Sequence, residues 1–101
     1  MSAALALTLA VEVPIVAALF PDRRARLALV SAVATSATHL FMHLALPRLV
    51  PPERWLLTGE AVALVAEAAA YALAGRDVAR ALVASGLANA ASFAAGWLLL
   101  G

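Results

Sequence analysis

Two glutamates, Glu12 in the run LAVEVPIV and Glu67 in WLLTGEAVALVAEAAAYALAG, stand in the middle of apolar segments. A carboxylate in such a place is costly to bury, so it is paired, neutral, or there for a purpose. Small polar residues recur at helical spacing in the other two apolar runs: Ser31, Thr35 and Thr38 in LALVSAVATSATHLFMHLAL, and Ser85, Asn89 and Ser92 in ALVASGLANAASFAAGWLLL. These residue types permit proton or cation binding, with the carboxylates supplying charge and the hydroxyls and amide supplying hydrogen bonds. Two carboxylates that approach closely cannot both ionise easily, so a coupled pair takes up a proton or a cation. The expected site is Glu12 and Glu67, supported by Thr35, Asn89 and Ser92. The competing reading is that each glutamate is a hydrogen-bonded clip between the helices of its own hairpin. Such bonds are worth only about 0.6 kcal/mol, up to about 2, against an insertion cost of about 2.5–3.5 kcal/mol for a charged side chain at a helix centre. Gln would clip as well as Glu.

His39 and His43 lie four residues apart on one helix face, the spacing of a two-histidine metal grip that Glu60 or Glu67 could complete. The alternative is that they are hydrogen-bonded, interface-near or relay histidines. A bis-histidine haem does not suit two residues of one helix, because axial ligands approach from opposite sides. No cofactor is expected, with a divalent metal at His39, His43 and Glu60 as the one option. The sequence has no His-Glu-x-x-His, Gly-x-Ser-x-Gly or Gly-rich phosphate loop, and no lysine for a Schiff base. An enzyme is therefore not expected; an intramembrane hydrolase using His and Glu is the residual enzymatic reading. The absence of cysteine removes disulfides and thiolate sites together.

The elements that must hold these residues follow from composition. Of 101 residues, 65% are hydrophobic and 13% charged, with a mean hydropathy of +0.98, far above the apolar share of a soluble domain. The charges gather in three clusters, one holding Asp22, Arg23, Arg24 and Arg26, a second Arg48, Glu53 and Arg54, and a third Arg76, Asp77 and Arg80. They separate four apolar stretches, about 3–20, 27–46, 55–74 and 81–100, each matching a hydrocarbon core of about 30 Å. The expected fold is all-α, an integral membrane bundle of four transmembrane helices in a single domain. The first run lacks a basic leader and carries Glu12, so it reads as a retained helix rather than a signal peptide. Pro14 predicts a kink around residues 10–14, and Pro47, Pro51 and Pro52 an extended loop. On helix two Ser31, Thr35, Thr38, His39 and His43 share an inward face. On helix three Glu60, Glu67 and Tyr71 fall on one line, and on helix four Ser85, Asn89, Ser92 and Gly96 form a small polar stripe suited to close helix approach.

All seven basic residues are arginine, and a net charge of +1 gives no nucleic-acid signal. Five arginines lie in the first and third loops and two in the second, which places both termini outside by the positive-inside rule. A prokaryotic cytoplasmic membrane is the expected location. Glu12 is followed ten residues on by Asp22, as Glu67 is by Asp77, and Ser31, Thr35, Thr38 and His39 then align with Ser85, Asn89, Ser92 and Phe93. This coincidence of polar positions predicts two tandem hairpin repeats, about 1–50 and 51–101, inserted in parallel about a pseudo-two-fold axis along the membrane normal. Glu60 and His43 belong to one half each and break that symmetry.

In size, helix count and the helix-one glutamate of LAVEVPIV, the chain is similar to small multidrug resistance transporters. The resemblance covers helix one alone, without that family's aromatic-rich second helix or its glycine-rich third and fourth helices. It implies that four short helices with embedded glutamates suffice for proton-coupled export when two subunits combine. The expected function is thus a transport-type or ion-coupled membrane protein in the lipid bilayer, working as a homo-oligomer or with a larger membrane partner. The alternative is a non-catalytic structural or accessory subunit of a larger membrane complex.

Overall fold

A computed structural model describes residues 3–100. Four long helices account for most of them: α1 (Ala3–Leu19), α2 (Arg24–Leu44), α4 (Trp55–Gly75) and α5 (Val78–Leu100), with the one-turn helix α3 (Leu46–Leu49) between α2 and α4. No strand occurs among the described residues. Three of the helical spans, Arg24–Leu44, Pro52–Gly75 and Val78–Leu99, are long and apolar enough to cross a membrane, and the 17-residue Ala3–Leu19 is a shorter apolar helix. At about 1.5 Å per residue its reach of about 26 Å lies near the lower end of a spanning length.

The distribution of side chains matches a membrane protein rather than a soluble one. Large apolar residues face outward, among them Leu29, Val33, Leu57, Val65, Leu73 and Leu98, while Glu12, Ser31, Thr35, Glu67, Ser85 and Asn89 are buried. Interior alanines (Ala63, Ala68, Ala81, Ala84 and Ala88) keep the helices close enough for those short polar groups to meet. α1 packs on α2 and α5, and α4 packs on the same two helices, so each long helix has two long neighbours.

One end of the assembly is tied by charges. Arg80 reaches Asp22 at 3.3 Å and Asp77 at 3.5 Å, joining the α1–α2 turn to the α4–α5 turn, and its guanidinium lies 5.4 Å from the centre of the Phe20 ring. Arg23 donates across to the Ala74 carbonyl at 3.3 Å. Asp77 caps α5 by accepting the Arg80 N–H at 2.9 Å. Arg76 takes the left-handed cap that usually falls to glycine, with φ 56°, and donates its N–H to the Ala72 carbonyl. The preceding Gly75 serves a different purpose: a β-carbon there would collide with the Phe20 ring.

One expectation about local structure needs correction. The proline-rich connection is not an extended loop, because Pro47 sits in the first turn of α3 and Pro52 opens a 3-10 turn over Pro52–Arg54. A first-turn position has no intrahelical bond for the missing N–H to lose. Pro14 lies inside α1, with its ring exposed.

Candidate functional site

Glu12 and Glu67 are carried by α1 and α4, the two helices that face each other across α2 and α5. Both are almost completely buried, at 2% and 1% exposure, and both line the same small cavity. Each of the four carboxyl oxygens accepts one hydrogen bond from α2 or α5. Thr35 donates to Glu12 Oε1 at 3.3 Å and Ser92 to Glu12 Oε2 at 2.7 Å. Thr38 donates to Glu67 Oε2 at 2.9 Å, and Asn89 Nδ2 to Glu67 Oε1 at 2.8 Å.

Each carboxyl group therefore takes one donor from its adjacent helix in sequence and one from the other half of the chain. Thr35 and Ser92 serve Glu12; Asn89 and Thr38 serve Glu67. Asn89 is itself held by the Ser85 carbonyl at 2.9 Å, and Ser85 donates to the Leu64 carbonyl at 2.7 Å. Among the described residues no buried side-chain nitrogen or oxygen lacks a partner. The distribution of charge is one-sided: the ion pairs of the described residues are at the Arg80 end, and none of them includes Glu12 or Glu67.

A cavity of about 90 Å³ adjoins the pair, lined in part by Thr8, His39, Met42, Glu60, Ala63 and Phe93. All of these lie towards the end that carries the α2–α4 connection. In the opposite direction the interior is closed. Tyr71, fully buried, donates to Ser31 at 3.3 Å, and Val16, Phe20, Leu27, Ala81, Ala84 and Ala88 fill the space beyond. The volume has room for a few water molecules and is well below the roughly 300 Å³ at which drug-sized ligand sites begin.

The sequence-derived residues divide accordingly. Glu12, Glu67, Thr35, Asn89 and Ser92 come together. Glu60 and His39 border the cavity on its open side. His43 does not share it: the residue is exposed, its ring tilted by 48° against that of His39 with centroids 4.4 Å apart. Among the described residues no three of His, Asp and Glu converge as a metal-ligand set, so His39, His43 and Glu60 are not gathered into the grip that their spacing allows. One helical turn carries His43 past the inward arc on which Ser31, Thr35 and Thr38 lie. Gly96 likewise makes no close helix contact, since a β-carbon there would meet nothing within 4 Å.

Thr38 is the residue that sequence reasoning left out of the site, although it is the counterpart of Ser92 in the hairpin alignment. The alignment was the available signal: a position matching a site residue in the other half carries the matching bond. The Tyr71–Ser31 contact had no such signal, because Tyr71 aligns with an apolar residue, Val16. Comparison of the chain with protein-family models, with curated proteins and with solved structures finds no match.

Proposed function

We propose that the chain is a small ion-coupled, transport-type membrane protein whose Glu12–Glu67 pair is its proton or cation site. The observation that carries this reading is a pair of buried carboxyl groups that line one cavity extending towards one end of the helices. The proposed architecture is a four-helix transmembrane bundle of two tandem hairpins, with the pair on the pseudo-two-fold axis. The exchanged donors support it: Thr35 corresponds to Asn89 and Thr38 to Ser92, and the swap of bonds between halves is the pattern a two-fold axis generates. The arginine-rich turns at the Arg80 end would face the cytoplasm and the cavity the opposite side. A second copy of the chain would extend the thin bundle by packing along its alanine-rich faces.

The structural-subunit reading has one observation in its favour, the full satisfaction of the buried polar groups. The two readings part at the proton. Glu12→Gln and Glu67→Gln preserve shape and hydrogen-bonding capacity while removing ionisation. In proteoliposomes carrying a pH-sensitive dye, both variants should assemble as the wild type does and lose proton- or cation-linked flux. Variants that retain all wild-type flux would leave only the helix-clip role.

A further inference from the structure

We propose that the ion exchanged by the Glu12–Glu67 pair is a proton rather than a metal ion, and that it arrives from the α2–α4 end through Glu60, which acts as the port residue of the cavity. The inference rests on the pair being an ion-loading site, as proposed above.

The identity of the ion follows from where the hydrogens point. Thr35, Thr38, Ser92 and Asn89 all donate to the carboxyl oxygens, so the positive ends of four dipoles surround the pair. A metal ion placed between the carboxyls would meet those same dipoles head-on. Asn89 offers it a nitrogen that has no free lone pair, and that nitrogen is fixed by the Ser85 carbonyl and hydroxyl as well. Hard cations need about six or more oxygen ligands, and among the described residues no three His, Asp or Glu side chains are placed to hold a metal ion. A proton needs no such ligand set, only the two carboxyl groups that share the cavity. One proton shared there converts a doubly negative pair into a singly negative one, which four donors can solvate.

The direction follows from what lies on each side. The titratable groups around the pair are Glu60 and Tyr71 from α4 and His39 from α2; α5 presents Asn89, Ser92 and Phe93, and α1 adds Thr8. Glu60 and His39 border the cavity, and Glu60 is two helical turns from Glu67, about 10 Å along the axis, a span that cavity water can bridge. Tyr71 and Ser31, backed by Val16, Phe20 and Leu27, stand on the other side without a cavity. A proton released by bulk water is taken by the Glu60 carboxylate, passes through cavity water, and is held between Glu12 and Glu67.

Infrared spectroscopy of protein in liposomes tests both parts. On acidification a carboxylic C=O band should appear, vanish in the Glu12→Gln/Glu67→Gln double variant, and be indifferent to exchange of sodium, potassium or magnesium at fixed pH and ionic strength. Glu60→Gln should keep the band's amplitude but slow its hydrogen–deuterium exchange on the order of a hundredfold, the lower end of what a positioned proton-transfer group contributes. Circular dichroism of each variant secures that it is folded. A band displaced by a metal ion at fixed pH overturns the proton assignment while leaving an ion site at the pair. Glu60→Gln exchanging at the wild-type rate overturns the port. Absence of any response to pH or metal overturns this inference and the ion-site reading together.

Discussion

The bond from Ser92 to Glu12 offers the sharpest measurement of whether the carboxyl pair carries charge. At 2.7 Å it is the shortest of the four bonds to the pair and lies at the upper edge of the range for a hydroxyl donating to a carboxylate. It also joins the first helix to the last. A hydrogen bond to a charged group contributes about 1.5–3 kcal/mol, whereas neutral interhelical bonds in membranes average about 0.6. Converting Glu12 to Gln keeps an acceptor opposite Ser92 and removes the charge. Ser92→Ala should therefore cost about 1–2 kcal/mol more in the wild-type background than in the Glu12→Gln background, a factor of about five to thirty in the unfolding equilibrium. Ser92 is only half-buried, which favours the lower part of that range.

The single substitution would mislead. The Asn89 carbonyl, 3.2 Å from the Ser92 hydroxyl in the same helix, competes for its single hydrogen, and alanine has the higher helix propensity, so the raw change mixes gain with loss. The four-protein cycle cancels those shared terms. Equilibrium unfolding in mixed micelles, followed by helical circular dichroism near neutral pH, supplies the four free energies. A coupling smaller than about 0.3–0.5 kcal/mol, the scatter expected of independent sites, would refute a charged pair and return both glutamates to the role of neutral clips. The mirrored cycle, Thr38→Ala with Glu67→Gln, should give a similar value if the halves are equivalent.

Gly75→Ala should destabilise by about 1–3 kcal/mol, since the new methyl meets the buried Phe20 ring, and thermal unfolding would register it. Gly96→Ala has open space and should stabilise by about 0.5–1 kcal/mol through helix propensity alone; a large loss of stability would place a partner against that face. Tyr71→Phe removes the bond to Ser31 and should cost about 0.5–1.5 kcal/mol in the same micellar unfolding assay. Arg80→Gln breaks two partly exposed ion pairs and should cost no more than about 1 kcal/mol, with the difference shrinking as salt is raised.

The helices were legible because charge clusters leave apolar runs of spanning length between them, and the structure ends its helices within a few residues of those clusters. Helical periodicity was sufficient to put Glu67 with Tyr71, and Ser31 with Thr35 and Thr38, on inward faces, because the polar residues of these apolar helices recur at helical spacing. It failed at His43, where a generous arc took in a residue one turn beyond the packed face. It failed again at Pro47 and Pro52, since a proline that disfavours a helix interior suits a first turn. The cavity could not be read at all. A void depends on what four helices leave unfilled, and Thr8, Ala63 and Met42 look like ordinary wall residues until they are seen beside Glu60 and His39.

Under the proposed repeat, symmetry and its violation have separate uses. Equivalence of the halves brings two glutamates to one axis and gives each one donor from its own hairpin and one from the other, two hydroxyls for Glu12 and a hydroxyl with an amide for Glu67. A single-hairpin homodimer could do as much. What a homodimer could not do is differ at its two halves, and here the residues bordering the cavity do differ: His39 stands opposite Phe93, and Glu60 occupies the place that Leu5 takes in the first half. A proton port needs only one ionisable residue at the mouth, and a second carboxylate at the position of Leu5 would add a further desolvation cost inside the bilayer without opening a new route. Fusing the hairpins in one chain permits that economy. It predicts that Leu5→Glu, which restores the symmetry, impairs membrane insertion or folding more than Glu60→Leu does, because the first adds a charged side chain near the membrane and the second removes one. Comparing the inserted fractions of the two variants by carbonate extraction tests it, and equal or reversed losses would mean that the asymmetry at the mouth is incidental.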